Sequence, residues 1–477
     1  MGNVVLNHTR TVRATADELF ASFGRSSAAG WLFSAECDRV VPGAIVSMEF
    51  PLESAGEPGG VRILGRFTKV VPSREIVLSH DQPWAGRTRI AFEAVDRAST
   101  AVSVRVELDD QGVEWLTRRL GLMSSGGAGE GVHRVGLLTS KTGPGAIFAV
   151  ACENLARLAV EEINDDGGLG GRPVELLIGD DGTDPQVGVR EARRLIDARC
   201  RVVVASVTSA TFDAVQRELS HRGVGLVHAV LNEGGAAGGT VLRWGERPSG
   251  QLDAAVRPFM AEAGARDWFL IGNDYSWSHG AHSAARRILP AGGGRVAGER
   301  LVRHGTADFS ESIDQILSSG AECVLSTLVG ADEVAFERQA FAAGLRERAK
   351  TLSLVLDEST HERIGVEASR GLWAVSGYFE SLDTGVNRDF VARYRQRFGR
   401  WAPPISSFSE GVYEALQLYA NAVRAGADSP VDSVRAMLHA AASSPRGLVR
   451  TQGPEQLSQA MYLAKSSGEA LEIFAAR

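Results

Sequence analysis

The chain has 477 residues, more than one hydrophobic core usually holds, and domains of about 100 to 200 residues would divide it into about three structural units. Its 44% hydrophobic and 23% charged residues are typical of a globular protein. A net charge of −7 without a basic stripe argues against a nucleic-acid partner, and no apolar run is long enough to form a membrane segment.

The first part of the chain, residues 4–120, alternates apolar and polar positions with a period of two between proline and glycine turns. This pattern predicts an α+β domain with five or six antiparallel strands and helices near residues 16–23 and 112–120. Thr15 and Glu18 have the spacing of a capping box at the start of the first helix. His80 and Asp81 could act as an acid and base pair, although at a strand end such residues more often form a turn.

A series of turns and apolar positions runs through this first domain: RATADELFASF, GWLF, VVPGAIVSMEF, GRFTKVVPSREIVLSH and TRIAFEAVDRASTAVSVRVEL. In this series residues 1–120 resemble the START-like (SRPBCC) superfamily, in the branch of heat-shock ATPase activators. The resemblance implies a curved sheet and a C-terminal helix around an apolar cavity, and it specifies no catalytic residue. The last helical segment, GVEWLTRRLGL, is shorter than the corresponding helix of that superfamily.

Residues 121–132 are mostly glycine and other small residues, a composition typical of a flexible linker, and we place a domain boundary there. From residue 133 to residue 477 short apolar runs alternate with helical segments. This alternation predicts right-handed βαβ crossovers and parallel sheets covered by helices. Because the series occurs twice, we expect an α/β domain with two lobes and a cleft between them.

Neither a cofactor nor a metal is predicted. The glycines of DDGGLGGRP, residues 165–173, follow a helix instead of preceding one, so they indicate a helix end and a turn and not a dinucleotide site. The cysteines have neither metal nor disulfide spacing, and we interpret them as small core residues: Cys37, Cys152, Cys200 and Cys323.

The second domain contains a co-linear set of segments that begins with VGLLTSKTGPGAIFAVACENLARLAVEEINDDGGLGGRPVELLIGDDGTDP. LIGNDYSWSHGAH, VLSTLVGADEVAFERQA, LDESTHERIG and AVSGYFESLDTGVNRDFVARYRQRFG follow in order. Through these segments residues 133–450 resemble the type I periplasmic binding-protein fold, in the branch of leucine/isoleucine/valine, urea and amide receptors. Within that branch the chain is most similar to the urea receptors and to the cytosolic amide sensor that controls an amidase operon.

In the first lobe the resemblance implies ligand contacts at Ser209 and Thr211 and at the backbone from Val230 to Asn232. Ser209 opens a helix, so its N–H group and hydroxyl would face a ligand carbonyl or carboxylate at the positive end of the helix dipole. The alternative is that Ser209 is an N-cap residue without a ligand.

In the second lobe the resemblance implies Trp277, with Tyr275 beside it, and the acidic Glu358. The two aromatic residues follow the strand DWFLIGND and would form a wall for a small ligand, or else pack at the rim near the hinge. Glu358 would accept N–H bonds from an amine or amide, or else be a carboxylate at a helix N-terminus. Amide and urea receptors usually carry aromatic residues at the positions of Val207 and His228, so we expect a ligand of different size or polarity.

From these residues we expect a non-catalytic, cytoplasmic sensor that closes on a small neutral or zwitterionic ligand, namely an amide, urea or an amino acid. A sensor would act through a regulatory protein partner or as a homo-oligomer. The first residues lack the basic and apolar regions of a secretory signal, which favours the cytoplasm. The alternatives are the substrate-binding component of an ABC-type uptake system and, on fold alone, a START-like enzyme.

Overall fold

The computed structural model describes residues 4–24, 34–37, 39–54, 57–80, 86–109, 132–234, 239–439, 441–451 and 457–476. Contacts divide the chain into two compact units. The N-terminal unit comprises Met1–Gly129 and Arg395–Ala402, and the C-terminal unit comprises Glu130–Tyr394 and Pro403–Arg477. The predicted helix at 112–120, the linker up to residue 131, and Asp81 lie outside the described residues.

The N-terminal unit contains a seven-stranded antiparallel sheet and the helix Ala16–Ser22. The strands, in order across the sheet, are Val4–Val12, Thr100–Leu108, Gly86–Ala94, Glu75–His80, Glu57–Val71, Ile45–Ser54 and Ser34–Glu36. The predicted capping box is confirmed, because the Thr15 hydroxyl accepts the Glu18 N–H and the Glu18 carboxylate accepts the Thr15 N–H. The additional strand relative to the prediction is Ser34–Glu36, since three residues are too few to show a period.

The helix of this unit packs its apolar side against one face of the sheet. Leu19 and Phe23 are buried with alternate residues of the strands, such as Ile76 and Leu78. The Phe23 and Phe67 rings meet edge to face with centroids 6.0 Å apart. The alternation along the strands therefore arises because only one face of the sheet is buried in this core.

The C-terminal unit has two lobes, and the sheet of its first lobe is entirely parallel. Its strands, in order across the sheet, are Val241–Arg243, Gly225–His228, Val202–Ser206, His133–Thr139 and Val174–Asp180. The helices of this lobe are Ala149–Asp165, Pro185–Asp197, Ser209–Leu219, Ser407–Arg424 and Pro430–Leu438, with 3₁₀ turns at Pro144–Phe148 and Ser220–Arg222.

The second lobe has a seven-stranded sheet. Its first five strands are parallel, and each of the last two runs antiparallel to the strand before it. In order across the sheet they are Arg295–Val302, Asp267–Asn273, Cys323–Thr327, Lys350–Ser353, Trp373–Ser376, Tyr462–Ser466 and Leu471–Ala476. The helices are Pro248–Ala263, Ser276–Ala291, Ser310–Ser319, Ala331–Ala342, Glu358–Ile364 and Val366–Ser369, with a 3₁₀ turn at Leu345–Glu347. The alternation of strands and helices predicted the parallel part of both sheets.

Three connections join the lobes. The first is residues 244–247, and the second follows Trp373–Ser376 and leads into the helix Gly385–Phe398. The third contains a three-stranded sheet of Ala441–Ser444, Gly447–Thr451 and Leu457–Ser458.

None of the helices in the described ranges is both long and apolar enough to cross a membrane. Within the same ranges, Cys152, Cys200 and Cys323 are buried as predicted, and Cys37 is half-buried.

Candidate functional site

A cavity lies in the cleft between the two lobes, where the carboxyl ends of strands from both sheets face each other. Ser206 ends one strand of the first lobe, and Ser140 and Val230 follow two others. Tyr275, Val329 and Val355 each stand two residues beyond a strand of the second lobe. Ligands of open parallel sheets bind at this edge, so the cavity is the candidate site.

One wall of the cavity carries hydroxyl groups, contributed by Ser140, Ser206, Thr208 and Ser209. Thr208 is the N-cap of the helix Ser209–Leu219, and its hydroxyl accepts the N–H of Thr211 at 3.3 Å. Ser209 is therefore the first helical residue and not the N-cap. Its side chain is 2% exposed, and its hydroxyl has no hydrogen-bond partner among the described residues.

This hydroxyl stands at a helix end that favours negative charge. The first N–H groups of a helix have no partner within the helix, and the aligned peptide dipoles place partial positive charge there. A carboxylate or carbonyl oxygen in the cavity can therefore accept bonds from the Ser209 hydroxyl and from the first backbone N–H groups.

The remaining walls are apolar. The Phe148 and Phe408 rings lie face to face with centroids 4.4 Å apart and an interplanar angle of 8°. Aliphatic side chains and the Tyr275 ring complete the lining, and no lining residue among the described ones is charged. The cavity thus combines one polar end with an apolar, partly aromatic body.

Three of the predicted site residues line this cavity, namely Ser209, Val230 and Tyr275, whereas Thr211, Asn232, Trp277 and Glu358 do not. Thr211 is buried behind the helix end, where its hydroxyl accepts a bond from Thr208 at 3.2 Å. The amide of Asn232 is used within the protein, because it donates to the Gly245 carbonyl at 2.9 Å.

Trp277 and Glu358 lie deeper in the second lobe. The Trp277 side chain is 1% exposed, and its ring is stacked 6.3 Å from that of Tyr275, so Tyr275 faces the cavity and Trp277 supports it. Glu358 begins the helix Glu358–Ile364, and its Oε1 accepts the Glu380 N–H at 2.6 Å. Burial holds the pKa of the Glu358 carboxyl well above its usual range. A ligand contact at Glu358 stays a prediction.

Phe148, Phe408, Ser140 and Ser206 were not found from the sequence. Ser140 and Ser206 end or follow predicted strands, which is a signal that could have identified them. Phe148 and Phe408 lie at the starts of two helices that pack together from distant parts of the chain. A single sequence has no signal for that pairing.

The lobes approach each other closely at two points. A Cβ atom at Gly330 of the second lobe would lie 2.4 Å from the Pro144 carbonyl oxygen of the first lobe. A Cβ atom at Gly280 would lie 2.9 Å from the Cβ of Glu233. The structure is therefore a closed arrangement, and the fold and cleft define the class of two-lobed ligand-binding proteins.

The family model described as periplasmic binding protein matches residues 133–470, and the chain belongs to this family. The Leu/Ile/Val-binding protein BraC3 of Rhizobium johnstonii is 29% identical over 195 residues, which are 40% of this chain and 53% of that protein. The chain thus spans about half the length of BraC3. Leu/Ile/Val-binding protein homolog 3 of Brucella melitensis is 25% identical over 311 residues, 64% of this chain and 82% of that protein.

Among solved structures, the solute-binding protein of an ABC transporter from R. palustris, in complex with benzoate, matches with a TM-score of 0.66. The identity is 22%, and the match covers 72% of this chain and 96% of that one. This likeness shows the two-lobed fold.

Proposed function

We propose that the chain is the solute-binding component of an ABC-type uptake system and that it binds an amino acid with an apolar side chain. One observation carries the proposal: the same cavity is lined by the Ser209 hydroxyl, which lies at a helix N-terminus, and by an apolar wall. That wall consists of Phe148, Phe408 and Tyr275. The names of the two Leu/Ile/Val-binding relatives support the same class of ligand.

The lining residues favour a carboxylate with an apolar body over the smaller candidates. Leucine, isoleucine and valine have that shape, and so does the benzoate bound by the R. palustris protein. Urea and short amides have no carboxylate for the helix N-terminus and little apolar surface for the rings. A phosphate or dicarboxylate is disfavoured because no cation lines the cavity among the described residues.

We expect calorimetric titration to show binding of L-leucine or L-valine and weaker binding of acetamide and urea. Ser209→Ala should weaken the binding of L-leucine by about 10- to 100-fold, because a hydrogen bond to a charged group contributes about 1.5 to 3 kcal/mol.

A suitable control is Ser433→Ala, which removes another buried hydroxyl of the first lobe, bonded to the Ser429 carbonyl at 3.0 Å. It should leave the affinity unchanged. Equal affinity of wild type and Ser209→Ala for every ligand would contradict the proposed site, and the absence of any amino-acid binding would contradict the ligand class.

A second expected result concerns closure. Gly280→Ala should weaken the binding of L-leucine by about tenfold, because the new Cβ would meet Glu233 at 2.9 Å in the closed arrangement, and such overpacking costs about 1 to 3 kcal/mol. In the open protein the same change stabilises the helix Ser276–Ala291 by up to about 1 kcal/mol. Calorimetry and thermal unfolding without ligand measure the two effects separately.

The matched control is Gly250→Ala in the helix Pro248–Ala263, where a Cβ would meet only the end of the Met461 side chain at 3.7 Å. This variant should keep the affinity of the wild type. If Gly280→Ala binds L-leucine as tightly as Gly250→Ala, the contact with Glu233 does not limit closure.

A second candidate function is the cytoplasmic sensor for an amide, urea or amino acid. One observation favours it: residues 4–109 form an α+β unit with its own core, and they lie outside the matched range 133–470. We propose that this unit is START-like and serves as the output of a sensor. Fractionation of the native cells decides between the candidates, because an uptake component meets its ligand outside the cytoplasm and a sensor of this kind meets it inside.

A further inference from the structure

A buried group of one guanidinium and three carboxylates lies where the chain passes between the lobes. Arg446 donates from Nε to Glu410 Oε2 at 2.6 Å and from Nη1 to Glu246 Oε1 at 3.5 Å. Its Nε also lies 3.4 Å from Glu414 Oε2. These four side chains, which we call the hinge cluster, are at most 3% exposed. Three acidic groups therefore share one basic group out of contact with water.

The hinge cluster ties together the three connections between the lobes. Glu246 belongs to the first connection, and its carboxylate accepts the hydroxyl of Ser376, which ends the strand before the second connection, at 3.3 Å. Arg446 lies in a turn of the third connection. Glu410 and Glu414 lie on the helix Ser407–Arg424 of the first lobe. The cluster therefore joins the first lobe to the segments that a change in the angle between the lobes would move.

The charges of the hinge cluster do not balance when all three carboxylates are ionised. Burial first, and then the nearby carboxylates, raise the pKa of Glu410 from 4.5 to about 8 against the opposing effect of Arg446. Burial also raises the pKa of Glu246. The folded arrangement thus holds a proton that the unfolded chain releases near pH 4.5, so this contribution to stability is lost as the pH rises from about 4.5 through about 8.

The other groups that face the cluster are polar or aromatic. Trp244 Nε1 donates to Glu414 at 2.6 Å, and Gln459 Oε1 accepts from Arg446 Nη1 at 3.0 Å. The Tyr462 hydroxyl donates to the Arg446 carbonyl at 3.1 Å, and Tyr378 is buried close to Glu410 and Arg446. Burial raises the pKa of both tyrosine hydroxyls above their ordinary value, so they stay neutral while Glu410 titrates.

We propose that the hinge cluster couples closure of the two lobes to the uptake of a proton, so that an alkaline pH opens the cleft and weakens ligand binding. In the closed arrangement the three carboxylates surround one guanidinium without solvent, and the proton relieves their repulsion. Opening separates the connections and admits water, which stabilises the ionised carboxylates and makes the proton unnecessary. The effect on ligand binding rests on the proposed function of the cleft.

The test compares the full-length wild type with Glu410→Gln, whose amide is a permanent neutral substitute for the protonated carboxyl. L-leucine is titrated calorimetrically at about pH 6.5 and about pH 9, in buffers of different ionisation enthalpy. We expect the wild type to take up protons on binding and to lose about tenfold in affinity over this range, whereas Glu410→Gln should lose little. If Glu410→Gln does not fold, two other measurements test the proposal. They are the proton uptake of the wild type on binding and the pH dependence of affinity in the variant Glu246→Gln.

Glu333→Gln is a matched control. Glu333 is also fully buried, accepts the Ser326 hydroxyl at 2.7 Å and has its pKa raised by burial to about 8, but it lies entirely within the second lobe. This variant should change the pH dependence of stability and keep the wild-type pH dependence of affinity. The proposal would be overturned if the affinity of the wild type did not depend on pH. It would also be overturned if the affinity had the same pH dependence in the wild type and in Glu410→Gln.

A second readout separates this inference from the proposed function. Hydrogen exchange of residues 244–247 in the ligand-free chain, corrected for the intrinsic effect of pH, should accelerate at alkaline pH in the wild type and not in Glu410→Gln. If L-leucine does not bind at any pH, the proposed ligand is wrong while this measurement still tests the hinge. If exchange stays unchanged, the hinge cluster does not sense pH.

Discussion

Replacing Arg446 with methionine is expected to lower the free energy of unfolding by about 3 to 5 kcal/mol, because it leaves buried carboxylates without their cation. The loss should increase with pH, since Glu410 and Glu246 then have to remain protonated to stay buried. Urea unfolding at neutral and alkaline pH measures both effects.

Arg295→Met is the control for this experiment. Arg295 forms a bidentate ion pair with the Asp267 carboxylate, with distances of 2.6 and 2.9 Å. However, the Arg295 side chain is 74% exposed. An exposed pair contributes about 1 kcal/mol or less. If Arg446→Met costs no more than Arg295→Met, the hinge cluster is not a buried electrostatic unit.

Gly245→Ala is expected to disrupt both the fold of the cleft and its ligand binding. A Cβ at this position would lie 1.9 Å from the Val230 carbonyl oxygen and 2.1 Å from the carbonyl carbon. These are backbone atoms, so no change of rotamer relieves the contact, and we expect a loss of about 3 kcal/mol or more. Because Val230 lines the cavity, the affinity for L-leucine should fall at least about tenfold as well.

Thermal unfolding and calorimetry of Gly245→Ala measure the two losses. The control is Gly250→Ala, whose Cβ makes only an ordinary contact with the end of the Met461 side chain at 3.7 Å. A Gly245→Ala variant with the stability and affinity of the wild type would mean that the backbone segments around Gly245 and Val230 can separate freely at this point.

The parallel parts of the fold could be predicted because strands buried on both faces form short apolar runs. The segment DWFLIGND shows this directly, since the strand is Asp267–Asn273 and Tyr275 faces the cavity just beyond it. The antiparallel strands Tyr462–Ser466 and Leu471–Ala476 were not predicted. They are short, and their place beside Trp373–Ser376 depends on a pairing over a long stretch of chain.

The candidate site could be predicted in part, because the carboxyl ends of parallel strands follow from the alternation of strands and helices. Tyr275 was found in this way, whereas Ser209 was implied by the family resemblance. Trp277 was expected beside Tyr275 in the wall but lies behind it, since successive side chains at the start of a helix point in different directions. The hinge cluster could not be predicted, because charged residues are usually exposed and only the fold shows that Arg446 is buried.

The last strands of the chain have a consequence for how the protein is made. Tyr462–Ser466 completes the sheet of the second lobe beside Trp373–Ser376, and Ser407–Arg424 covers the helix Ala149–Asp165 of the first lobe. Neither lobe is therefore continuous in sequence. As the chain leaves the ribosome, the first lobe cannot be completed before Ser407–Arg424 has been synthesised. The second lobe cannot be completed before Tyr462–Ser466 has been synthesised. Until then Trp373–Ser376 is an unpaired sheet edge, and an edge of this kind can pair with a strand of another chain.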